Sequence, residues 1–200
     1  NIGITLFAGE SFTQCPLTVD HAVLLDMIHN IKCGLIEDGT AVGMGIANAV
    51  TRLKDSKAKS KVIILLTDGT NNKGDISPMT AAEIAKSFGI RVYTIGVGTN
   101  GMAPYPYPVG NTVQYVSMPV EIDEKTLTQI AGTTDGNYFR ATSNSKLKEV
   151  YEEIDKLEKT KLNVKEYSKR DEEYHWFALA AFLCVLLEVL LRNSILKKIP

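Results

Sequence analysis

The sequence predicts an α/β protein in which a mostly parallel sheet is covered by helices on both faces. Patterns typical of strands alternate with patterns typical of helices along most of the 200 residues, and this order is typical of such folds. Residues 62–66 and 91–98 form two largely apolar runs between predicted helices. Because these runs show no regular polar alternation, they indicate strands buried on both faces, as in a parallel sheet.

The first elements are predicted from alternation and from a capping residue. Ile2, Ile4 and Leu6 share one face of a half-buried strand. Asp20 is a suitable N-cap for a helix that extends to Ile31. The chain therefore opens with a strand and a helix.

Two further helices are predicted on either side of the run at 62–66. Thr40 opens the first of them. Its apolar residues recur at helical spacing: Ile46, Val50 and Leu53. The second helix starts at Ser77 and Pro78, because Ser is a good N-cap and Pro suits the first helical position, and it ends at Gly89.

The remaining elements continue the alternation after an interruption. Residues 103–118 contain too many prolines for a helix and predict a loop or hairpin excursion. A helix over 126–131, a strand over 136–142 and a long amphipathic helix over 145–162 follow.

Composition sets the broad class of the protein. The chain has 22 basic and 23 acidic residues, for a net charge of -1. This balance and the absence of a basic stripe argue against a nucleic-acid-binding protein. The length suits one domain with a stable core and an additional segment.

Asp68 is the first candidate for a functional residue, since it lies at the end of the apolar run 62–66. In α/β sheets, ligands bind at the carboxyl ends of the strands. Asp also commonly caps a turn by accepting hydrogen bonds from nearby N–H groups. Position alone leaves both interpretations open.

Two enzyme motifs fail at this region. The sequence TDGT is similar to the phosphatase loop of haloacid dehalogenase-like hydrolases, but the position of the nucleophilic carboxylate is occupied by Leu66. Gly96, Gly98 and Gly101 match a dinucleotide-binding fingerprint. That fingerprint requires a helix to begin at these glycines, and the three prolines that follow exclude it.

Residues 35–74, LIEDGTAVGMGIANAVTRLKDSKAKSKVIILLTDGTNNKG, resemble a von Willebrand factor A (vWA) domain. The resemblance extends over residues 2–162 and implies a Rossmann-like sheet with a divalent metal at its top, in a metal-ion-dependent adhesion site. The family builds this site from Asp-x-Ser-x-Ser on the first strand, a Thr at a helix start and an Asp at the end of the fourth strand. Thr40 and Asp68 match the last two positions.

These two residues suit a magnesium site, because Mg²⁺ prefers oxygen ligands and keeps water in its shell. A neutral hydroxyl from Thr40 leaves the metal electrophilic enough to accept a carboxylate from a partner protein. A Thr before a helix is also an ordinary N-cap. The Asp-x-Ser-x-Ser motif is absent from the sequence, so either it lies upstream or the site is degenerate. The cost of an exposed central sheet edge favours truncation.

The C-terminus predicts a membrane anchor. Residues 174–193 reach the roughly 20 residues that a transmembrane helix needs, and they contain an almost uncharged run. The expected organisation is a vWA domain lacking its first strands at 1–162, a charged stalk at 163–173, the transmembrane helix, and a short basic tail at 194–200.

A vWA domain followed by such a helix resembles the Bat (Bacteroides aerotolerance) membrane proteins, BatA and BatB. The stretches FAGESFTQCPLT and DGTAVGMGIANAVTRLKDS are similar to that family. The resemblance implies other Bat proteins as partners, including tetratricopeptide-repeat members, and a MoxR-type AAA+ ATPase. It also implies a role in assembly or stress tolerance at the bacterial cell envelope.

The sequence as a whole is interpreted as a membrane-anchored, metal-dependent interaction module and not as an enzyme. Asp68 and Thr40 would hold Mg²⁺ or another divalent cation once the missing motif is present. A structural anchor with a metal-free site and a hydrolase that uses Asp68 are the alternatives. We expect an inner-membrane protein with a periplasmic vWA domain and with Lys197 and Lys198 in the cytoplasm.

Overall fold

The computed structural model describes residues 1–32, 34–98, 101–109, 112–120, 122–167 and 174–194. The chain divides into two compact units, Asn1–Glu158 and Lys159–Pro200. The elements follow in chain order: β1 (Ile2–Phe7), β2 (Ser11–Thr18), α1 (His21–His29), α2 (Val42–Leu53), β3 (Lys61–Thr67), α3 (Pro78–Ser87), β4 (Ile90–Val97), β5 (Gly101–Val109), β6 (Thr112–Val120), α4 (Glu124–Thr133), β7 (Tyr138–Ala141), α5 (Asn144–Tyr167) and α6 (Tyr174–Ser194).

A parallel sheet with helices on both faces forms the centre of the first unit, as predicted. Its strands are ordered β3-β4-β7. Ile63 and Leu65 of β3 face a core formed with α2, α3 and α4. The alternate residues of β3 pack on the opposite face with Val150 and Ile154 of α5. Because both faces of β3 are covered, its sequence is apolar throughout.

Two predicted helix starts are confirmed by their caps. The Asp20 carboxylate accepts hydrogen bonds from the N–H groups at the start of α1. The Ser77 hydroxyl accepts a hydrogen bond of 3.1 Å from the N–H of Thr80, and Pro78 is the first residue of α3. Both caps use contacts within three residues, so they were visible in the sequence.

Strand β2 was not predicted, because Pro16 and several polar residues obscure its pattern. It pairs with β1 in an antiparallel two-stranded sheet. Within the described chain β2 has no second neighbour. A strand with a free edge tolerates proline, since the missing N–H is not needed for pairing on that side.

The predicted excursion at residues 103–118 is a hairpin. Strands β5 and β6 pair antiparallel over their full lengths, from Gly101 opposite Val120 to Val109 opposite Thr112. A strand rather than a helix therefore follows β4, which agrees with the rejection of the dinucleotide fingerprint.

The C-terminal segment contains α6 at the position of the predicted membrane span. Over the ranges that the structure describes, however, no helix is both long and apolar enough to cross a membrane. The predicted span at 174–193 is therefore not found. Helix α5 continues beyond residue 162, and the stalk and tail predictions fall mainly on residues 168–173 and 195–200, outside the described ranges.

Candidate functional site

Helix α2 begins later than the sequence predicted. Its first residue is Val42, and its N-cap residue is Ala41, which has no side-chain cap. The N–H of Val42 instead donates a hydrogen bond of 2.8 Å to Oδ1 of Asn71. The interpretation of Thr40 as the N-cap is therefore wrong, and its hydroxyl is not used for capping.

Two asparagines hold the loop after β3 against the start of α2. The N–H of Thr40 donates to Oδ1 of Asn72 at 2.8 Å, and the carbonyl of Thr40 accepts from the N–H of Asn72 at 3.0 Å. Asn71 adds the bond to α2. Thr40 Oγ1 lies only 3.2 Å from the position that a Cβ on Gly69 would occupy. The side chain of Thr40 therefore lies against Gly69, the residue that follows Asp68.

Asp68 is exposed at the tip of a buried strand. Its carboxylate accepts no hydrogen bond from the described part of the chain. The N–H of Gly69 donates instead to the hydroxyl of buried Thr67, at 3.3 Å. Among the described residues, the structure thus shows no hydrogen bond by which Asp68 caps the turn.

Two other acidic residues near this edge of the sheet, Glu37 and Asp123, are engaged by neighbouring residues. Glu37 pairs with the Nζ of Lys73 at 2.8 Å, and this hydrogen bond and charge lower the pKa of the Glu37 carboxyl. Asp123 caps α4 by accepting from the N–H of Thr126 at 3.0 Å, and hydrogen bonding with Thr126 lowers its pKa. By contrast, no described residue donates a hydrogen bond to the exposed Asp68 carboxylate.

Thr40 and Asp68 can supply part of a metal shell. One hydroxyl and one carboxylate are oxygen ligands of the type that Mg²⁺ accepts, but an octahedral shell needs more ligands or water. Among the described residues, no group of three or more His, Cys, Asp or Glu side chains could hold a metal ion. The two residues fit such an ion only together with further donors.

Strands β1 and β3 each have an unpaired edge within the described residues, and both end close to Thr40. Within the described residues β1 pairs only with β2, and β3 pairs only with β4. Helix α2 packs against both β1 and β3, with Phe7 lying against Gly45. The carbonyl of Ala8, just after β1, accepts a 2.7 Å bond from the N–H of Ala41. Both β1 and β3 therefore end near the start of α2 with one edge open.

The sequence analysis missed three residues that shape the site. Asn71 and Asn72 were not singled out, because their partners lie 29 and 32 residues away in the chain. Gly43 allows the loop to approach α2, since a Cβ there would lie 2.0 Å from the carbonyl oxygen of Ile76. The GxG spacing around Met44 was the available indication of such a close approach.

Comparisons with known proteins identify the domain family of this chain. A family model described as the von Willebrand factor type A domain matches residues 1–153. An uncharacterized protein of Borreliella burgdorferi is 24% identical over 200 residues, and a UPF0353 protein of Mycolicibacterium paratuberculosis is 30% identical over 166 residues. The alignments cover 100% and 76% of this chain, but 59% and 46% of those proteins. The chain thus spans about half the length of these curated relatives.

Several solved structures are similar to this chain in both sequence and fold. The conserved hypothetical protein BatB from Bacteroides thetaiotaomicron is 33% identical, with a TM-score of 0.67 and 78% coverage of both chains. An aerotolerance-related membrane protein from Bacteroides fragilis is 30% identical, with a TM-score of 0.64 and coverages of 77% and 78%. Proximal thread matrix protein 1 from the mussel byssus, with a zinc-occupied MIDAS motif, is 27% identical, with a TM-score of 0.57 and coverages of 78% and 34%.

Proposed function

Because this chain belongs to the von Willebrand factor type A domain family, we propose that it is a protein-interaction module that binds a partner through a divalent metal. The observation that carries this proposal is the Asp68 carboxylate, which is exposed and without a hydrogen bond in the described structure. The residue that follows it, Gly69, lies against the Thr40 side chain at the carboxyl edge of the sheet. A metal there would face solvent, where a partner's carboxylate can reach it.

The chemistry of the two donors supports binding rather than catalysis. With one carboxylate and one neutral hydroxyl, the protein cancels little of the charge of a divalent cation. The cation therefore remains attractive to an acidic side chain of another protein. A zinc ion occupies the MIDAS motif of the structurally similar mussel protein. Mg²⁺ or another divalent cation is the corresponding proposal for Thr40 and Asp68.

The missing ligands would come from a strand that enters between β1 and β3. Both strands have an unpaired edge within the described chain, and both end at the start of α2, where Thr40 is held. A strand paired with both edges would present alternate side chains near Thr40 and Asp68. An Asp-x-Ser-x-Ser sequence has the oxygen donors and the alternate spacing for this position.

Metal titration tests this proposal. Calorimetry with Mg²⁺ should detect weak binding or none with the 200-residue chain, because two protein ligands do not complete the shell. A longer protein that carries Asp-x-Ser-x-Ser ahead of residue 1 should bind clearly. In that protein Asp68→Ala should weaken binding by more than about tenfold, since even outer-shell changes have effects of that size.

The matched control is Asp75→Ala in the same longer protein. Asp75 is an exposed acid of the same loop, so its removal changes the net charge equally without removing a proposed ligand. Equal Mg²⁺ affinity of the short and long proteins would contradict the shared site. Absence of binding by both would favour the alternative of a metal-free structural anchor.

Membrane attachment through α6 is a second part of the proposal. Trp176, Phe177 and Phe182 are among many large apolar side chains that α6 exposes, and such a surface is unfavourable in water. The Bacteroides fragilis neighbour is described as a membrane protein. We place the vWA domain outside the bacterial inner membrane, with Lys197 and Lys198 on the cytoplasmic side.

The membrane proposal predicts co-flotation of the chain with phospholipid vesicles. Replacing Leu183 and Leu187, one helical turn apart and both exposed, by Lys should abolish most of the flotation. The reason is that each charge costs about 3 kcal/mol in the centre of a bilayer. Glu152→Lys, at an exposed position of α5, is the control and should still float. A parent protein that stays in the dense fraction would refute attachment through α6.

The similarity to Bat proteins extends the proposal to partners. These are other Bat proteins, including tetratricopeptide-repeat members, and a MoxR-type AAA+ ATPase, acting together in cell-envelope assembly or stress tolerance. An acidic side chain of one partner would complete the metal shell. A hydrolase based on Asp68 is the less favoured alternative, since the sequence has no second carboxylate, His or Cys at a spacing that would supply a base or a nucleophile.

A further inference from the structure

The β5–β6 hairpin forms a two-stranded sheet of its own. Its register places Pro104, Pro106 and Pro108 opposite Ser117, Tyr115 and Val113, respectively. Isolated two-stranded hairpins are marginal in water. A further strand paired to one of its edges would stabilise it, and the positions of the prolines determine which edge can form such a pair.

All prolines of the hairpin occupy the same class of position. Only two residues separate the paired Val109 and Thr112, and the pair that closes a two-residue hairpin exchanges hydrogen bonds. Hydrogen-bonded and non-hydrogen-bonded pairs alternate from the Val109–Thr112 pair towards Gly101. The three pairs that contain the β5 prolines are therefore non-hydrogen-bonded. Pro119, opposite Met102, falls in the same class. In these pairs the backbone N and C=O groups point away from the partner strand.

The two outer edges of the hairpin consequently differ in hydrogen-bonding capacity. On β5 the outward positions are Met102 and three prolines, so only the first retains an N–H. On β6 the outward positions up to Ser117 are Val113, Tyr115 and Ser117 itself, and each retains both N–H and C=O. The β5 edge is blocked against strand pairing and the β6 edge is open to it.

No charge protects the open edge. The sequence contains no Asp, Glu, Lys, Arg or His from residue 92 to residue 120. Natural proteins normally protect a free edge with charges, prolines or bulges. Here three prolines block β5, whereas β6 has a single proline, Pro119, near its C-terminal end. Tyr115 at the middle of the open edge is 72% exposed. An edge without charges therefore leaves its N–H and C=O groups available to pair with another strand.

We infer that β6 pairs antiparallel with β6 of a second copy of this chain, with the two Tyr115 residues opposite each other. In this register Val113 of each copy faces Ser117 of the other, so all three outward N–H groups find acceptors. The edge is self-complementary because it carries no like charges to repel. The resulting four-stranded sheet ends on both sides at a proline-blocked β5 edge, so the assembly closes at two copies.

This inference is independent of the proposed metal site and membrane attachment. It is tested by disulfide crosslinking of the full chain in detergent micelles with EDTA, in a Cys33→Ser, Cys184→Ser background. Tyr115→Cys should crosslink between copies on mild oxidation, because facing Cα atoms of a hydrogen-bonded pair lie about 5.5 Å apart. Met102→Cys on the blocked edge is similarly exposed, at 66%, and should remain uncrosslinked.

Sedimentation equilibrium of two further variants separates edge pairing from side-chain contact. Tyr115→Pro removes an outward N–H but none that pairs with β5, so the hairpin is retained and dimerisation should weaken by about tenfold or more. Tyr115→Val keeps the N–H and should dimerise like the parent. Equal crosslinking at both cysteine positions, or dimerisation unchanged by Tyr115→Pro, would overturn the inference. So would a parent that is monomeric at all concentrations, which would leave the edge to a strand of another protein.

Discussion

Gly43→Ala is expected to destabilise the first unit by about 3 kcal/mol, at the upper end of ordinary overpacking effects. An added Cβ would lie 2.0 Å from the carbonyl oxygen of Ile76 and 2.8 Å from the carbonyl carbon of Ser77. Both atoms belong to the backbone, so no side-chain rotation can relieve the clash. The loop between β3 and α3 must move away from α2 instead.

The consequence extends to the candidate site. This loop begins with Asp68 and carries Asn71 and Asn72, whose side chains hold Thr40 and the start of α2. A displaced loop would lengthen these hydrogen bonds and separate Asp68 from Thr40. We therefore expect Gly43→Ala also to reduce Mg²⁺ binding by the longer, motif-containing protein, in addition to lowering the denaturant midpoint of unfolding.

Gly132→Ala provides the matched control, since it makes the same change in another helix. Gly132 lies in α4, and an added Cβ there would meet no atom within 4 Å. Ala is favoured over Gly inside a helix by about 1 kcal/mol, so this variant should be slightly more stable than the parent. Urea unfolding followed by circular dichroism measures both. Equal midpoints for Gly43→Ala and the parent would show that the loop accommodates the methyl group freely.

The sequence predicted those parts of the fold that depend on local chemistry. Ser77 and Asp20 cap helices through N–H groups two or three residues away, and the apolar run of β3 reflects burial on both faces. It also placed Asp68 directly after a buried parallel strand, because the end of such a strand is a position that sequence pattern reveals.

The errors arose where distant contacts override local preference. Thr40 has the residue type of an N-cap, but Asn71 takes this role: its Oδ1 accepts the hydrogen bond from the N–H of Val42, 29 residues away in the chain. Strand β2 exists because it pairs with β1, although Pro16 weakens its own pattern. Neither contact has a periodicity that a single sequence displays.

A buried cluster around Glu158 is a second long-range contact, and we expect its loss to have a large effect on stability. Glu158 of α5 lies at the amino-end side of the sheet, where each of its carboxylate oxygens accepts two hydrogen bonds. Oε1 accepts from Arg91 Nε at 2.8 Å and from the Tyr93 hydroxyl at 2.6 Å. Oε2 accepts from Arg91 at 2.7 Å and from the Ser60 hydroxyl at 2.7 Å. The Arg91 and Glu158 side chains are only 16% and 14% exposed.

Glu158→Ala should therefore destabilise the first unit by about 3 kcal/mol, because it removes the carboxylate that binds a largely buried guanidinium. Tyr93 and Ser60 would lose acceptors as well. Glu149→Ala in the same helix is the control. Glu149 pairs with Lys146, but these side chains are 61% and 59% exposed, so no measurable change is expected. Similar unfolding midpoints for Glu158→Ala and the control would contradict the predicted role of the cluster.

The pH dependence of the unfolding free energy shows how much of the Glu158 contribution comes from its charge. Burial raises the pKa of Glu158, but hydrogen bonds from Arg91, Tyr93 and Ser60 outweigh it, so the pKa in the folded protein lies below the ordinary value of 4.5. A carboxyl with a lowered pKa contributes its full stability above the pKa of the unfolded chain and loses it as pH falls through the folded pKa.

The comparison of the parent with Glu158→Gln measures this contribution, since Gln has a similar shape but does not titrate. The difference in unfolding free energy between the two proteins should be constant from about pH 7 to about pH 5.5 and should shrink below about pH 4.5. Burial raises the pKa of Tyr93, so its hydroxyl remains a donor over this whole range and adds no slope. A difference that stayed constant down to pH values where the parent unfolds would mean that Glu158 acts through packing and neutral hydrogen bonds, and not through its charge.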